Sequence, residues 1–361
     1  MLEVQKYLRS KYNALEAITE EFSIKAKRHG KHPNLVCLKY SQLESPFAEQ
    51  VVRECRGIIL DEANDWAVVS YPYNKFFNHG EQLAAEIDWT TATFEPKLDG
   101  SLMTLYSYDG RWLVQSSGTA DGNGEVGDFG FSFADLFWQV WEEKGYSTKE
   151  LDVNLCYMFE LETPYNRVVV KQEENCLTLH GVRNIKTLKE ECPHSEGWIN
   201  EFDILPSIPV DNLDYLLHEA KTLDPMVQEG FIVRDSQFNR IKIKTEQYVR
   251  LSHFREGMTR NKLLAIAINN EGSEFVSYFK EYAEVYTDLA EKYDRLVAKV
   301  QKIWTSTSRY TNQKDFALRV KDYPFSGALF QLKAGKVSSV REYFQKVNVK
   351  SVMEYIKHYY G

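Results

Sequence analysis

The chain has 361 residues, 43% of them apolar and 27% charged, with a formal net charge of −8. That length gives one large domain or two ordinary ones with ample core, and the composition excludes a disordered or fibrous chain. The acidic balance excludes wholesale coating of nucleic acid and confines phosphate binding to local basic patches.

In chain order, Val4, Leu8, Tyr12, Leu15, Ile18 and Phe22 recur at helical spacing and predict an amphipathic helix over residues 2–22. Leu35–Tyr40 reads as a strand, and so does Arg53–Leu60, which contains the Arg56-Gly57 step. Arg56 suits a rim ion pair or, through its planar fork, a phosphate. Tyr71–Asn78 is a further extended piece carrying Lys75 and Phe77. In the stretch Thr93–Tyr106, Pro96 keeps the preceding residue extended and Asp99-Gly100 is a tight-turn signal. Lys97 therefore stands at the mouth of a bend, where a surface hairpin lysine and a catalytic lysine both fit. Leu102–Tyr108, Asp109-Gly110 and Trp112–Ser116 predict a hairpin, followed by the loop Ser117-Gly118-Thr119. Phe133–Trp141 is helical, with Ser132 as its N-cap.

Leu155–Leu161 is a strand too apolar to face water, yet it contains Glu160. A carboxylate there must be paired, hydrogen-bonded or close to a cation, and Arg167 is one candidate partner. Asp211 is expected to cap a short helix running to Leu223. Val227–Val233 holds a Glu229-Gly230 step, and Arg240–Lys244 follows it. Period two puts Lys242 and Lys244 on one face and Ile241 and Ile243 on the other. A solvated edge strand and an anion site both satisfy that pair.

From Leu263 the pattern is helical: Phe275, Phe279, Tyr282, Tyr286, Leu289, Tyr293, Leu296, Val300 and Ile303 recur at three and four residues and predict bundle core. Further helices are expected over Lys314–Val320, Gly327–Leu332 and Val337–Lys357. This shift divides the chain into domains of residues 1–254 and 255–361. Within the tail, Lys333, Lys336, Arg341, Lys346 and Lys350 are offset in sequence by Glu342 alone, a candidate contact for phosphates.

Five cysteines, widely spaced and without a Cys-x-x-Cys pair, point to buried thiols in a reducing compartment. No apolar run approaches transmembrane length, and Glu3 and Lys6 stand where a signal peptide's apolar core would begin. A cytoplasmic protein with no membrane partner is expected.

Taken together, the ordered blocks before residue 255 resemble the RNA ligase 1 family, bacteriophage-type tRNA-repair enzymes of the covalent nucleotidyltransferase superfamily. Lys97-Leu98-Asp99-Gly100-Ser101 looks like the motif whose lysine carries the nucleotide. Glu54–Ile58 and Lys75–Asn78 look like the upstream phosphate-binding blocks. Phe159-Glu160, with Pro164–Val169, looks like the third motif and its arginine extension. Glu229-Gly230-Phe231 looks like the fourth, and Lys242-Ile243-Lys244 with Tyr248 like the fifth.

The resemblance implies an α+β fold: a nucleotidyltransferase (ATP-grasp-like ligase) domain built on antiparallel sheets, then an all-α C-terminal domain serving RNA or tRNA specificity. It implies an ATP-dependent RNA ligase that joins 5′-phosphate and 3′-hydroxyl ends through lysyl-AMP and an adenylylated RNA end. Lys97 would be the nucleophile. Tyr40, Arg56, Lys75, Phe77, Glu160, Glu229, Lys242 and Lys244 would contact the nucleotide. Asp99, Gly100, Gly118, Arg167 and Tyr248 complete the motifs. Mg²⁺, or Mn²⁺, would be held by Glu160, Glu229 and Glu274. The implied substrate is a tRNA broken in its anticodon loop, with a separate end-healing kinase/phosphatase as a further partner and the host cytoplasm as location if the chain is phage-encoded. Where the family usually has a lysine before the glycine that follows the hairpin, this chain has Ser117.

The residue chemistry supports the same reading. A lysine amine with the reference pKa of about 10.4 is nearly all protonated at neutral pH, so a nucleophilic lysine needs burial or neighbouring cations. A DNA ligase or capping guanylyltransferase shares the lysine motif but usually adds a β-barrel, where this tail is helical. A non-catalytic RNA-binding module would not need Lys97, Glu160, Glu229, Lys242 and Lys244 together.

Overall fold

A computed structural model of the chain describes residues 1–127, 129–166, 170, 172–193, 202–224, 227–245 and 259–361. It divides into two compact units, Met1–Ser41 with Ser45–His253, and Gln42–Glu44 with Phe254–Gly361. The opening apolar stripe folds as two helices, Glu3–Ser10 and Ala14–Phe22, instead of one. Asn13 adopts a left-handed conformation between them (φ +53°), which breaks the helical axis.

Among the described residues the first unit has three sheets. The strands in chain order are β1 (Ile24–Arg28), β2 (Leu35–Tyr40), β3 (Arg56–Asp61), β4 (Ala67–Ser70), β5 (Phe77–Asn78), β6 (Thr93–Lys97), β7 (Ser101–Tyr108), β8 (Arg111–Ser116), β9 (Leu155–Glu162), β10 (Cys176–Asn184), β11 (Glu190–Glu191), β12 (Asp203–Ile204), β13 (Ile208–Pro209), β14 (Gly230–Arg234) and β15 (Arg240–Lys244). β1 to β4 form an antiparallel meander, and Arg53 and Glu54, expected in its third strand, lie instead in a short helix, Gln50–Glu54. The second sheet has the order β11-β10-β9-β7-β8, with β12 beside β10; the third has the order β13-β6-β14-β15-β5.

Each sheet buries its apolar face against a helix. Val36, Leu38, Ile58 and Leu60 of the first sheet pack on Val4, Leu8 and Ile18. The alternate residues Leu35, Cys37 and Ile59 pack on Tyr106 and Cys156 of the second sheet. That two-sided burial explains why β2 reads as an unbroken apolar run. The other face of the second sheet takes Leu136, Phe137, Val140 and Trp141 of the helix Phe133–Glu143. Ser132 caps this helix as expected, its hydroxyl accepting from the Asp135 amide. The helix Leu213–Thr222 covers the third sheet through Leu216 and Ala220, and Asn212 caps it in place of the expected Asp211.

The described part of the tail is helical. Phe275, Phe279, Leu289, Tyr293, Leu296 and Val300 are buried, as bundle core requires. Two separate helices, Val340–Lys346 and Val349–Tyr360, replace the single final one expected, because Val347 is extended and Asn348 caps the second. No helix among the described residues is long and apolar enough to cross a membrane.

Candidate active site

Lys97 ends β6, and sheet register fixes its neighbours. It pairs with Gly230 on β14, and Gly230 pairs with Lys244 on β15. Glu229, just ahead of that row, is 4% exposed. Its Oε2 accepts a hydrogen bond from the Lys97 amine, and its Oε1 lies 3.3 Å from the Lys244 amine. A buried carboxylate costs several kcal/mol unless it is compensated, so Glu229 and the two lysines are mutually dependent. A Cβ on Gly230 would collide with the Ile243 carbonyl oxygen, so only glycine lets β14 and β15 close here.

Leu98–Gly100 carries the chain out of the third sheet into the second, so the Asp-Gly step links two sheets and is not a hairpin turn. A Cβ on Gly100 would collide with the Leu161 carbonyl oxygen. The Gly100 amide donates to Glu160 Oε1 (3.1 Å), and the Asp99 amide donates to Glu162 (3.4 Å). The buried Asp99 carboxylate accepts from the Val170 amide at 2.7 Å. Asn166 donates to Ser101 Oγ (3.0 Å) and to the Leu161 carbonyl (2.7 Å). The link after Lys97 is therefore clamped from several sides.

Glu160 Oε2 lies 3.5 Å from Nε2 of His180, on β10. The hydroxyl of buried Tyr73 donates to the His180 carbonyl (2.8 Å), and its ring stacks on the imidazole. His180 is not among the residues expected from sequence, since no local signal marks it within the mixed strand Cys176–Asn184. Arg167, the partner considered for Glu160, lies outside the described residues, as does Tyr248.

Lys242 is not on a bare edge, because β5 pairs alongside Ile241 and Lys242. Burial pushes its amine well below the ordinary lysine range, helped by the charges of Lys75, Arg56, Lys244 and Lys97. Its amine and the Arg56 guanidinium lie 5.0 and 5.1 Å from the centroid of the Phe76 ring. The Lys75 amine sits over the rings of Tyr40, Phe47 and Phe77 at 5.5, 5.0 and 5.5 Å.

These elements enclose a cavity of about 530 Å³. Its walls include Lys39, Arg56, Tyr73, Phe76, Glu95, Lys97, Gly100, Ser117, Gly118, Glu160, His180, Arg240 and Lys242. Tyr40, Lys75, Phe77, Asp99, Glu229 and Lys244 are not part of that lining, and Phe76 rather than Phe77 faces the space. Glu274 is on the helix Gly272–Tyr278 of the second unit. No cluster of three or more His, Cys, Asp or Glu side chains suited to a metal ion occurs among the described residues. The donors do fit a hard cation that keeps waters and needs one or two carboxylates beside a substrate phosphate, since Glu160 and Glu95 are both among the lining residues.

A sequence profile described as RNA ligase matches residues 54–248, just over half of the chain. The chain belongs to the RNA ligase family. The match spans the Lys97 loop, Glu160, Glu229 and both β15 lysines, and the substrate class of the family is RNA. The RNA ligase of Rhodothermus phage RM378 is 28% identical over 95% of this chain and 93% of its own length. An archaeal ATP-dependent RNA ligase of solved structure matches 85% of this chain and 82% of its own, at 10% identity and a TM-score of 0.48. A Naegleria gruberi RNA ligase solved with ATP and Mn matches 45% of this chain, at 14% identity and a TM-score of 0.33; the chain spans about half of that protein, 51%.

Proposed function

We propose that this RNA ligase uses ATP and works through a lysyl-AMP intermediate on Lys97. The observation that carries the reading is the Lys97 amine, held by buried Glu229 in a row with Lys244 and opening on a cavity lined by cations. The amine nitrogen attacks the α-phosphorus of ATP, a P–N bond forms, and the bond to the pyrophosphate oxygen breaks. Glu229, already hydrogen-bonded to the amine, takes the proton that leaves it. Lys242 stabilises the charge that gathers on the α-phosphate and Arg56 holds the outer phosphates, with Lys244 and Lys75 adding positive charge from outside the cavity lining. Phe76 supplies the apolar side of the nucleoside site.

Mg²⁺ or Mn²⁺, when bound through Glu160 and the substrate phosphates, supplies further positive charge at the reacting phosphoryl group. AMP then passes to an RNA 5′-phosphate, and a 3′-hydroxyl displaces it to seal the strand. Residues 1–254 form the catalytic domain in this reading and 255–361 select the RNA, a tRNA broken in its anticodon loop, after a separate kinase/phosphatase has healed its ends.

The deciding experiment incubates the protein with α-labelled ATP and Mg²⁺ and resolves it by denaturing electrophoresis. Label is expected on the wild type and absent from Lys97→Ala. Equal labelling of the variant overturns the assignment. Joining of 5′-phosphorylated RNA and broken tRNA, set beside nicked duplex DNA, then tests the substrate: preferential sealing of the DNA would contradict RNA selection.

A further inference from the structure

We propose that Lys39 is a phosphate-binding residue of this site, standing where Ser117 leaves the cavity without a lysine; the inference rests on the ligase reading above. Along β2 the residues facing the second sheet are Leu35, Cys37 and then Lys39. Period two therefore carries the buried row past the end of the core and turns its next member, a lysine, into the cavity. Lys39 stands opposite Arg56 of β3 across an irregularity in the pairing that follows Leu38, and both side chains line the cavity.

The Lys39 amine reaches the loop after the hairpin. A Cβ placed on Gly118 would lie 3.6 Å from Lys39 Nζ, and Ser117, Gly118 and Lys39 all line the same cavity. The neighbouring wall is held by Gln115, whose amide donates to the Gly57 carbonyl at 2.5 Å. No carboxylate among the described residues forms an ion pair with Lys39. By contrast, the cavity's Lys97 is tied to Glu229 and its Arg240 to Glu190 at 2.6 Å. Burial holds the Lys39 amine below the ordinary lysine range, with Arg56 and Lys27 adding to the effect. Two cations that line one cavity, with no carboxylate ion-paired to either among the described residues, are stabilised by a bound phosphate. That anion is either the polyphosphate of the nucleotide or the 5′-phosphate of RNA.

The test measures two reactions on wild type, Lys39→Ala, Lys39→Arg and the double variant Lys39→Ser/Ser117→Lys, with thermal unfolding as the check on folding. One reaction is lysyl-AMP formation from ATP; the other is sealing of RNA that already carries a 5′-adenylyl group. Removing a charge-assisted hydrogen bond predicts a fall of about tenfold or more for Lys39→Ala in at least one reaction. Lys39→Arg and the double variant should recover most of it, a rescue that a packing role would not give. A fall in lysyl-AMP formation identifies the nucleotide phosphates; a fall in sealing alone identifies the RNA phosphate. Wild-type rates for Lys39→Ala in both reactions, or loss in the double variant as deep as in Lys39→Ala with folding intact, would overturn the proposal. A wild type that forms no lysyl-AMP would instead overturn the reading on which it rests.

Discussion

At Lys242 the proposed chemistry and the stability of the fold pull in opposite directions. Its amine is desolvated and surrounded by other cations, so its folded pKa is depressed. The unfolded chain then binds a proton that the folded chain does not, and this residue's contribution to stability rises as pH rises toward the ordinary lysine value of 10.5. Lys242→Met should unfold at or above the wild-type temperature at neutral pH, while lysyl-AMP formation falls about a hundredfold. A drop in both, or unchanged adenylylation, would remove Lys242 from the chemistry. Glu162 has the opposite sign. Burial, with the neighbouring Glu160 charge, raises its carboxyl from 4.5 to about 7. The folded protein keeps a proton there that the unfolded chain has released, so stability falls as pH rises from about 4.5 through about 7. Glu162→Gln should flatten that part of the curve in denaturant unfolding measured across the window. Parallel curves would show that Glu162 does not titrate there.

At the scale of elements, the site depends on how closely three strands approach. β6, β14 and β15 bring Lys97, Gly230 and Lys244 into one row, and the space at Gly230 admits no side chain. Gly230→Ala must push β15 away, at a cost of about 1–3 kcal/mol, and should reduce lysyl-AMP formation beyond what the stability loss explains. Asn212→Ala removes the cap of the helix behind that sheet, where Asn212 accepts from the Tyr215 amide at 2.9 Å, together with an exposed hydrogen bond to Asp211. It should cost a comparable amount, about 1 kcal/mol, and leave adenylylation intact. Equal activity losses in the two variants, measured at matched fractions folded, would mean that general stability and not strand spacing controls the site.

At the scale of the whole molecule, the basic stretch of the tail divides into structural and available charges. Arg341 is bound to Asp294 at 2.7 Å, Lys346 to Glu342 at 2.7 Å, and Lys333 donates to the Ser308 carbonyl at 3.0 Å. Lys336 and Lys350 are exposed, and no ion pair to either occurs among the described residues. Neutralising Lys336 and Lys350 should therefore flatten the salt dependence of tRNA joining, by about one unit of slope for each phosphate released, with adenylylation unchanged. Arg341→Ala should lower the unfolding temperature instead. An unaltered salt slope in the Lys336/Lys350 double variant would show that this face does not meet RNA.

Much of the chemistry is legible in the amino-acid sequence because it is local. Strand period two aligns Lys242 with Lys244, and the Asp109-Gly110 turn sets the β7–β8 hairpin. Residue type and spacing in a few positions suffice for such features. Other features depend on partners distant in sequence, and only the tertiary structure decided them. The Asp99-Gly100 step joins two sheets because β6 and β7 find different neighbours. His180 faces Glu160 because β10 pairs with β9, and Arg341 leaves the basic patch because Asp294 lies within reach. Lys39 belongs with Ser117 only once the first and second sheets are packed. Side-chain chemistry and short-range periodicity are written along the chain, whereas the joining of a carboxylate, a cation and a cavity wall depends on long-range packing.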